Sequence, residues 1–201
     1  MEQGDWFLSA GILQRIPAGR ERSGRKAGDK MEKQGKLLLL DEKLKKAQKI
    51  LVGIGAEWKP QTAQEEIRIQ EAASRLLALL KDRDYYIITS LEGQDAERIF
   101  AEKEHMAAPF GVSFTEKDWE AYTGWLAGTL NRELVILELG EGFQNPSLIR
   151  WPFEKTVMLN QKAFLFRVHR QFSQIPEEIK EKAVPVAESS VDFILSCGNP
   201  A

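Results

Sequence analysis

A stretch in which an apolar run ends in two glycines, Ile50–Trp58, constrains the fold more than any other part of the chain. Gly53 and Gly55, with a helix-forming segment after them, are typical of a strand that enters a tight turn. In a doubly wound sheet, the turn after the first strand binds the phosphates of a dinucleotide. The glycine pair alone is a weak signal, because Trp58 stands where the full fingerprint needs a third glycine.

A second apolar run repeats this arrangement. The run at residues 134–139 ends at Gly140 and Gly142, and Asn145 lies in the same turn. Ligands of open α/β sheets bind beyond the carboxyl ends of the strands. We therefore expect residues 53–58, 140–145 and 169–170 to face a ligand. Two glycine turns in matching positions favour nucleotide binding.

Segments typical of strands alternate with segments typical of helices along most of the chain. Short β-rich runs predict strands at residues 50–54, 85–89, 134–139, 164–168 and 184–187, the last an edge strand because it contains a proline. Periodicity and start signals predict helices at about residues 41–49, 62–80 and 115–130, after Pro176, and at 191–195. The alternation predicts the α/β class, a Rossmann-like doubly wound parallel sheet with helices on both faces.

Several helix details can be predicted as well. Asp41 is a plausible N-cap, and Thr62 with Glu65 forms a capping box. Residues 90–111 show little pattern. The third helix is expected to bury one stripe, which consists of Trp119, Tyr122, Leu126 and Leu130.

Composition excludes several classes of protein. A net charge of −2 gives no basic field for nucleic acid. The single cysteine, Cys197, cannot form a disulfide framework, and two histidines make a protein-only metal site an unfavoured interpretation, so no metal is predicted. No apolar run approaches the roughly 20 residues of a membrane span. A cytoplasmic protein without a membrane or nucleic-acid partner is expected.

The first thirty residues differ from the rest. Five glycines, Pro17 and several basic residues interrupt any periodicity. We expect residues 1–30 to be a disordered tail or to precede the natural start at Met31, with a basic nucleic-acid arm as the alternative. Residues 31–201 are expected to form one domain.

Four motifs together resemble the sirtuin family. Gly53-Ile-Gly-Ala-Glu-Trp58 is similar to the Gly-Ala-Gly nucleotide loop, and Tyr85-Tyr-Ile-Ile-Thr89 to the second core strand. Leu137-Glu-Leu-Gly-Glu-Gly-Phe-Gln-Asn-Pro146, followed by Ile149-Arg-Trp-Pro-Phe-Glu154, resembles the signature of a bacterial sirtuin-like branch. Phe164-Leu-Phe-Arg-Val-His169 resembles a strand that ends in Ile-Asn in that family. The resemblance covers most of residues 46–195.

The resemblance implies a Rossmann-type fold that binds NAD, in a family whose members remove acyl groups from lysine or transfer ADP-ribose. It places Gly53, Gly55 and Ala56 against the pyrophosphate, and Gly140 and Gly142 near the adenosine. His169 would stand where an asparagine meets the adenine ribose. The full set of predicted cofactor-binding residues is Gly53, Gly55, Ala56, Glu57, Trp58, Thr89, Gly140, Gly142, Asn145 and His169.

The departures from the family concern the reactive half of the site. Leu91 and Gly93 occupy the places of the asparagine and aspartate that serve the nicotinamide end. Phe110, before Gly111, stands where the family has its catalytic histidine, and it has no group that takes a proton. His105 is the weak candidate for a replacement base. The zinc module with two Cys-x-x-Cys pairs is missing, so no separate zinc-binding lobe is expected.

We therefore predict a degenerate sirtuin-like protein, a pseudoenzyme that binds NAD or ADP-ribose without deacylase activity. Two alternatives stay open. In the first, His105 or Glu92 supplies a base and the protein is an active NAD-dependent deacylase or ADP-ribosyltransferase. In the second, Glu57 and Trp58 close a vestigial pocket and the protein binds a protein partner. Arg150 could bind a phosphate, or pair with Glu138 or Glu154.

Overall fold

A computed structural model describes residues 19–100 and 104–198 of the chain. The chain divides into two compact units, residues 1–35 and residues 36–201. Within the first unit, the described residues belong to the start of one helix. The described residues of the second unit form the rest of that helix, six strands and the other helices.

Six α-helices and two 3₁₀ segments are present in the described residues. The helices are α1 (Gly19–Lys46), α2 (Ala63–Leu80), α3 (Asp95–Ile99), α4 (Glu116–Ala127), α5 (Arg150–Leu159) and α6 (Ser190–Ser196). The 3₁₀ segments are Ala56–Trp58 and Glu177–Lys182. The strands are β1 (Lys49–Ile54), β2 (Tyr85–Thr89), β3 (Met106–Ala107), β4 (Leu134–Leu139), β5 (Ala163–Val168) and β6 (Ala183–Val186).

The strands form one parallel sheet in the order β3-β2-β1-β4-β5-β6. This is the strand order of a doubly wound Rossmann-like sheet. Succeeding strands run outward from β1 in one direction and from β4 in the other. The chain therefore changes direction between β1 and β4, and the carboxyl ends of these two neighbours flank a crevice.

Side chains of β1 alternate between two hydrophobic clusters, one on each face of the sheet. Ile50, Val52 and Ile54 pack with residues of α1, α2 and α6, whereas Leu51 packs with residues of α4 and α5. Helices therefore cover both faces, and the predicted fold class is confirmed.

Most of the predicted element bounds are confirmed. The strands predicted at residues 50–54, 85–89, 134–139, 164–168 and 184–187 are present within one residue at each end. Thr62 is the N-cap of α2, and its Oγ1 accepts a hydrogen bond from the backbone N–H of Glu65 at 3.2 Å. The strand with Pro185 lies at the edge of the sheet, where a missing N–H is tolerated.

The predicted start of the first helix at Asp41 is wrong. Asp41 lies inside α1, where its Oδ2 accepts a hydrogen bond from Lys45 Nζ at 2.6 Å, four residues along. The four leucines before Asp41 favour helix and do not end it. Residues 19–30, predicted as part of a tail, are also in α1, and the prediction for residues 1–18 lies outside the described residues.

One further prediction needs correction. In the stripe predicted for α4, Tyr122 is buried, but Trp119 is 41% exposed and Leu130 is 59% exposed. Leu130 lies beyond the end of α4 at Ala127, so it does not share a helix face with the others. Residues 90–111, which showed little pattern, contain α3 and β3.

Candidate functional site

Four loops that follow β1, β2, β4 and β5 surround one cleft at the carboxyl ends of the strands. We call it the edge cleft, and its cavity measures about 160 Å³. It lies at the point where the strand order reverses, which is where open α/β sheets bind ligands. The lining residues are Ala56, Lys59, Ser90, Leu91, Glu92, Glu141, Gly142, Phe143, Gln144, Asn145, His169 and Phe172.

Four of the predicted cofactor-binding residues line this cleft: Ala56, Gly142, Asn145 and His169. They come from three different loops, so the fold brings together residues that are more than 110 positions apart in sequence. A Cβ atom on Gly142 would lie 3.5 Å from the Phe172 ring and 3.8 Å from His169 Nε2. Gly142 is therefore in ordinary contact distance of two other lining residues.

Gly53 and Gly55, which were predicted to lie against a pyrophosphate, are not among the residues that line the cleft. Gly53 lies within β1, and a Cβ there would be 2.6 Å from both Ile149 and Phe153. A Cβ on Gly55 would be 2.5 Å from the carbonyl oxygen of Gly140 and 2.4 Å from Glu141 Cα. The first glycine admits α5 close to the sheet, and the second admits the turn after β4.

Glu57 is engaged by the chain itself and is not directed at a ligand. Its Oε2 accepts hydrogen bonds from the backbone N–H and the Oγ of Ser190, at 2.9 and 2.7 Å. Its Oε1 accepts one from the backbone N–H of Arg170 at 3.0 Å. Gly140, at φ +71°, has no room for a side chain because a Cβ would lie 2.5 Å from Glu57 Cβ. These contacts fix the turns after β1 and β4 against α6.

Trp58 and Thr89 are core residues and do not line the cleft. Trp58 is fully buried, stacks on Phe100 with 6.0 Å between ring centroids, and donates from Nε1 to Ser190 Oγ at 3.1 Å. Thr89 donates from Oγ1 to the carbonyl oxygen of Ile54 at 3.0 Å and accepts from the N–H of Leu91. Both residues, which were predicted to contact a cofactor, belong to the core and are not among the residues that line the cleft.

Glu141 is a cleft residue that the sequence did not reveal. The residue is only 2% exposed, and its Oε2 accepts a hydrogen bond from Ser90 Oγ at 2.6 Å. The described residues place no arginine, lysine or histidine within ion-pair distance of this carboxyl group. Burial, with the nearby charge of Glu138 added, raises the pKa of Glu141 to about 7. A carboxyl group that titrates near neutral pH in a cleft is typical of functional sites.

His169 presents one nitrogen to the protein and the other toward the cleft. Its Nδ1 accepts hydrogen bonds from the backbone N–H groups of Gln171 and Phe172, at 2.9 and 3.0 Å. These two bonds assign the proton of the neutral ring to Nε2, on the side of Gly142. Burial lowers the pKa of His169 below its usual value, and the neutral ring is the form at pH 7. His169 is therefore a hydrogen-bond donor to the cleft.

A buried charge network supports the wall formed by β4, β5 and α5. Arg167 donates from Nε and Nη2 to the two carboxylate oxygens of Glu138, at 2.7 and 2.8 Å, and pairs with Glu154 at 2.8 Å. Arg150 pairs with Glu138 at 3.4 Å, as the structural alternative for this residue predicted, and donates to the carbonyl oxygen of Phe172 at 3.0 Å. Its guanidinium also lies 4.3 Å from the centroid of the Phe143 ring. The network thus positions two aromatic residues of the cleft.

The segments that depart from the sirtuin pattern lie side by side beyond β2 and β3. The backbone N–H of Gly93 donates to the carbonyl oxygen of Phe110 at 3.0 Å, and Gly93 forms a parallel bridge with Gly111. Leu91 is 2% exposed and lines the cleft, whereas Phe110 is 43% exposed. None of these four positions carries a titratable side chain.

His105, the predicted candidate for a base, does not line the edge cleft. It precedes β3 and therefore lies at the amino end of that strand, at the edge of the sheet opposite the cleft. Its exposed ring packs beside Tyr85 at the start of β2, with 5.1 Å between centroids. Glu92, the other candidate base, does line the cleft with an exposed side chain.

A larger cavity of about 310 Å³ lies at the amino ends of β4 and β5. The lysines that line it already have partners: Lys46 pairs with Glu42, Lys162 with Glu133, Lys182 with a carbonyl oxygen of α5, and Lys43 with the Phe164 ring. Since this cavity holds satisfied surface charges, we place the candidate site in the edge cleft despite its smaller volume.

No group of three histidine, cysteine, aspartate or glutamate residues within residues 19–100 and 104–198 could hold a metal ion. No helix in the same part of the chain is long and apolar enough to cross a membrane. No protein-family model matches this chain, and no curated protein matches it.

Proposed function

We propose that this protein is a sirtuin-like nucleotide-binding protein that holds NAD or ADP-ribose in the edge cleft and does not remove acyl groups from lysine. The observation that carries the proposal is the position of the cleft. It lies between the loops after β1 and β4, where the strand order reverses, and loops from both halves of the sheet line it.

The polar groups of the cleft suit ribosyl hydroxyls. A hydroxyl both donates and accepts hydrogen bonds. The Nε2–H of His169 supplies a donor and the carboxyl group of Glu141 supplies an acceptor, on walls that come from different strands. A ribose that bridges the two walls would bind to the folded protein only.

The aromatic residues of the cleft suit a nucleobase. Phe143 is 56% exposed, and Phe172 packs edge-on against it with 5.3 Å between centroids. Arg150 lies over the Phe143 ring and orders it. Exposed aromatic rings that are already ordered stack on a base at a low entropic cost.

The position at which the sirtuin family has its catalytic histidine carries no base for deacylation in this chain. Phe110 cannot accept a proton, and the replacement candidate His105 lies at the opposite edge of the sheet. Leu91 is packed into the core and offers no hydrogen bond to a nicotinamide ribose. We therefore propose binding without turnover, in a sensing or recruiting role.

Isothermal titration and thermal unfolding with NAD and with ADP-ribose test the binding. We expect saturable binding and a rise in Tm, because a ligand at 100 times its Kd stabilises the folded state by about 2.7 kcal/mol. His169→Ala should weaken binding at least about fivefold, as it removes one hydrogen-bond donor. His105→Ala is the matched control and should bind as the unaltered protein does.

Catalysis is tested separately by incubation with NAD and an acetylated lysine peptide. We expect no release of nicotinamide over several hours at high protein concentration. Release that exceeds the rate of the buffer alone would overturn the non-catalytic half of the proposal. An unchanged Tm with both nucleotides at millimolar concentration would overturn the binding half.

A further inference from the structure

Within the described residues, only one of the two carboxyl oxygens of Glu141 accepts a hydrogen bond. Ser90 Oγ donates to Oε2 at 2.6 Å, and the described residues provide no hydrogen bond to Oε1. The side chain lines the edge cleft although the residue is almost fully buried. Glu138, three residues earlier in β4, accepts hydrogen bonds from Arg167 on both of its carboxylate oxygens. Glu141 therefore keeps the capacity to accept a hydrogen bond from a ligand.

The charges that line the cleft disfavour a phosphate. Glu92 and Glu141 line it, and Lys59 is the one lysine or arginine among its lining residues. The positive charge of Arg150, behind the wall, lies beside Glu138 at 3.4 Å. An anionic group placed against Glu141 would meet two carboxyl groups in a partly desolvated site, where like charges repel strongly.

The size of the cleft also disfavours a site that encloses the phosphates. Its volume of about 160 Å³ is below the roughly 300–1,000 Å³ of sites that enclose whole small-molecule ligands. It can enclose one part of a dinucleotide but not all of it. The glycines that could have cradled a pyrophosphate, Gly53 and Gly55, are covered by α5 and by the turn after β4.

We infer that the edge cleft takes a phosphate-free part of its ligand, a ribosyl or nucleoside group whose O–H or N–H donates to Glu141, and that the phosphates stay outside. This inference rests on the proposed function, because it assigns a part of the proposed nucleotide to the cleft. Glu141 is then the residue that determines which end of the ligand enters.

A dependence on pH follows. A donor on the ligand bonds more strongly to an ionised carboxylate than to a carboxylic acid. Because the pKa of Glu141 lies at about 7, the ionised fraction rises about tenfold between pH 6 and pH 8. Binding to the ionised form therefore strengthens with rising pH and releases a proton. A phosphate against Glu141 would have the opposite effect, with binding that weakens and takes up a proton.

Other charged and titratable groups surround Glu141. The charged groups near Glu141 include Glu138 on β4, Glu92 after β2, Arg150 on α5 and Lys59 after β1. Glu57 is fixed by Ser190, and Ser90 does not titrate. His169 has a pKa below its usual value, so its remaining protonation is confined to the acidic end of the range.

The experiment is calorimetric titration of the full chain with ADP-ribose and with NAD at pH 6 and pH 8, in two buffers of different ionisation enthalpy. We expect the Kd to fall about tenfold from pH 6 to pH 8, with release of close to one proton at pH 6. Glu141→Gln keeps an acceptor oxygen but cannot ionise, so the Kd of this variant should change less than twofold between pH 6 and pH 8. Glu141→Ala should bind at least tenfold more weakly at pH 8.

Glu133→Gln is the matched control, since Glu133 lies just before the amino end of β4, at the opposite end of the strand from Glu141, and it should keep the full pH dependence. Proton uptake on binding, or a Kd that is independent of both pH and Glu141, would overturn this inference while the proposed function stands. Failure of both nucleotides to bind at either pH would overturn the proposed function and the inference with it.

Discussion

Gly55 is confined by backbone atoms that cannot move aside. The carbonyl oxygen of Gly140 and the N and Cα atoms of Glu141 lie 2.4–2.5 Å from the position of a Cβ on Gly55. Real Cβ atoms do not approach backbone so closely, so any side chain must push the turns after β1 and β4 apart. The glycine is required for packing between two turns, and the carboxyl group of Glu141 depends on that packing for its position.

Gly55→Ala should therefore lower the free energy of unfolding by about 2–3 kcal/mol, within the range of overpacked sites. The matched control is Gly124→Ala in α4, where no atom lies within 4 Å of the added Cβ. That change should raise the stability by about 0.5–1 kcal/mol, because alanine favours helix over glycine. Urea unfolding of the three proteins measures both effects, and equal stabilities would contradict the close packing.

Of three residues that line the edge cleft, two could be predicted from the sequence and one could not. Gly142 and His169 follow runs that end in a turn, so their place at the carboxyl edge could be predicted. Glu141 could not be recognised, because nothing in the sequence distinguishes it from the chain's other glutamates. Its special chemistry comes from burial against a loop 51 positions away, where Ser90 lies.

At the scale of elements, a network of three buried charges and the partly buried Glu154 joins β4, β5 and α5. Glu138 and Arg167 face each other on paired strands, and Arg150 and Glu154 reach them from the first turns of α5. Arg167 and Arg150 also donate to carbonyl oxygens of the loop after β5, at 2.9 and 3.0 Å. The network thus holds three elements and one cleft loop together.

Arg167→Met should lower the free energy of unfolding by about 3–5 kcal/mol at pH 8, because it leaves the buried carboxylate of Glu138 with one arginine partner, Arg150 at 3.4 Å, where it had two. Burial already raises the pKa of Glu138, so protonation relieves the loss and the difference should shrink at pH 5. Adding Glu138→Gln to Arg167→Met should restore part of the stability. A double variant as unstable as the single one would show that charge is not the cause.

The elements themselves were predicted where one physical signal dominated. Buried parallel strands are nearly continuous apolar runs, and β1, β2, β4 and β5 have that pattern. Helix α5 was not assigned, because its first turn contains Pro152 and two of its charged residues, Arg150 and Glu154, are turned inward to Glu138 and Arg167. The two-residue strand β3 depends on pairing with β2 and has no signal of its own.

For the whole molecule, the alternation of strands and helices was enough to predict a doubly wound sheet. The strand order 3-2-1-4-5-6 requires tertiary pairing, as in the contact between β1 and β4, whose paired residues are 85 positions apart (Lys49 with Leu134), and no local pattern encodes it. That pairing places the loops after β1 and β4 together and so creates the edge cleft. It also buries Glu141, which links the stability of the entire fold to pH.

The free protein should lose stability as pH rises through the range in which Glu141 is protonated in the folded state only. The pKa of its carboxyl group is about 7 in the folded protein, whereas the ordinary value for a glutamate is 4.5. Between these values the folded state binds more protons than the unfolded state, so the free energy of unfolding falls with rising pH. Relative to Glu141→Gln, the unaltered protein should lose on the order of 2–3 kcal/mol between pH 4.5 and pH 8. Urea unfolding of both proteins in half-unit steps measures the difference, and a constant difference would show that Glu141 is solvated and ionised throughout.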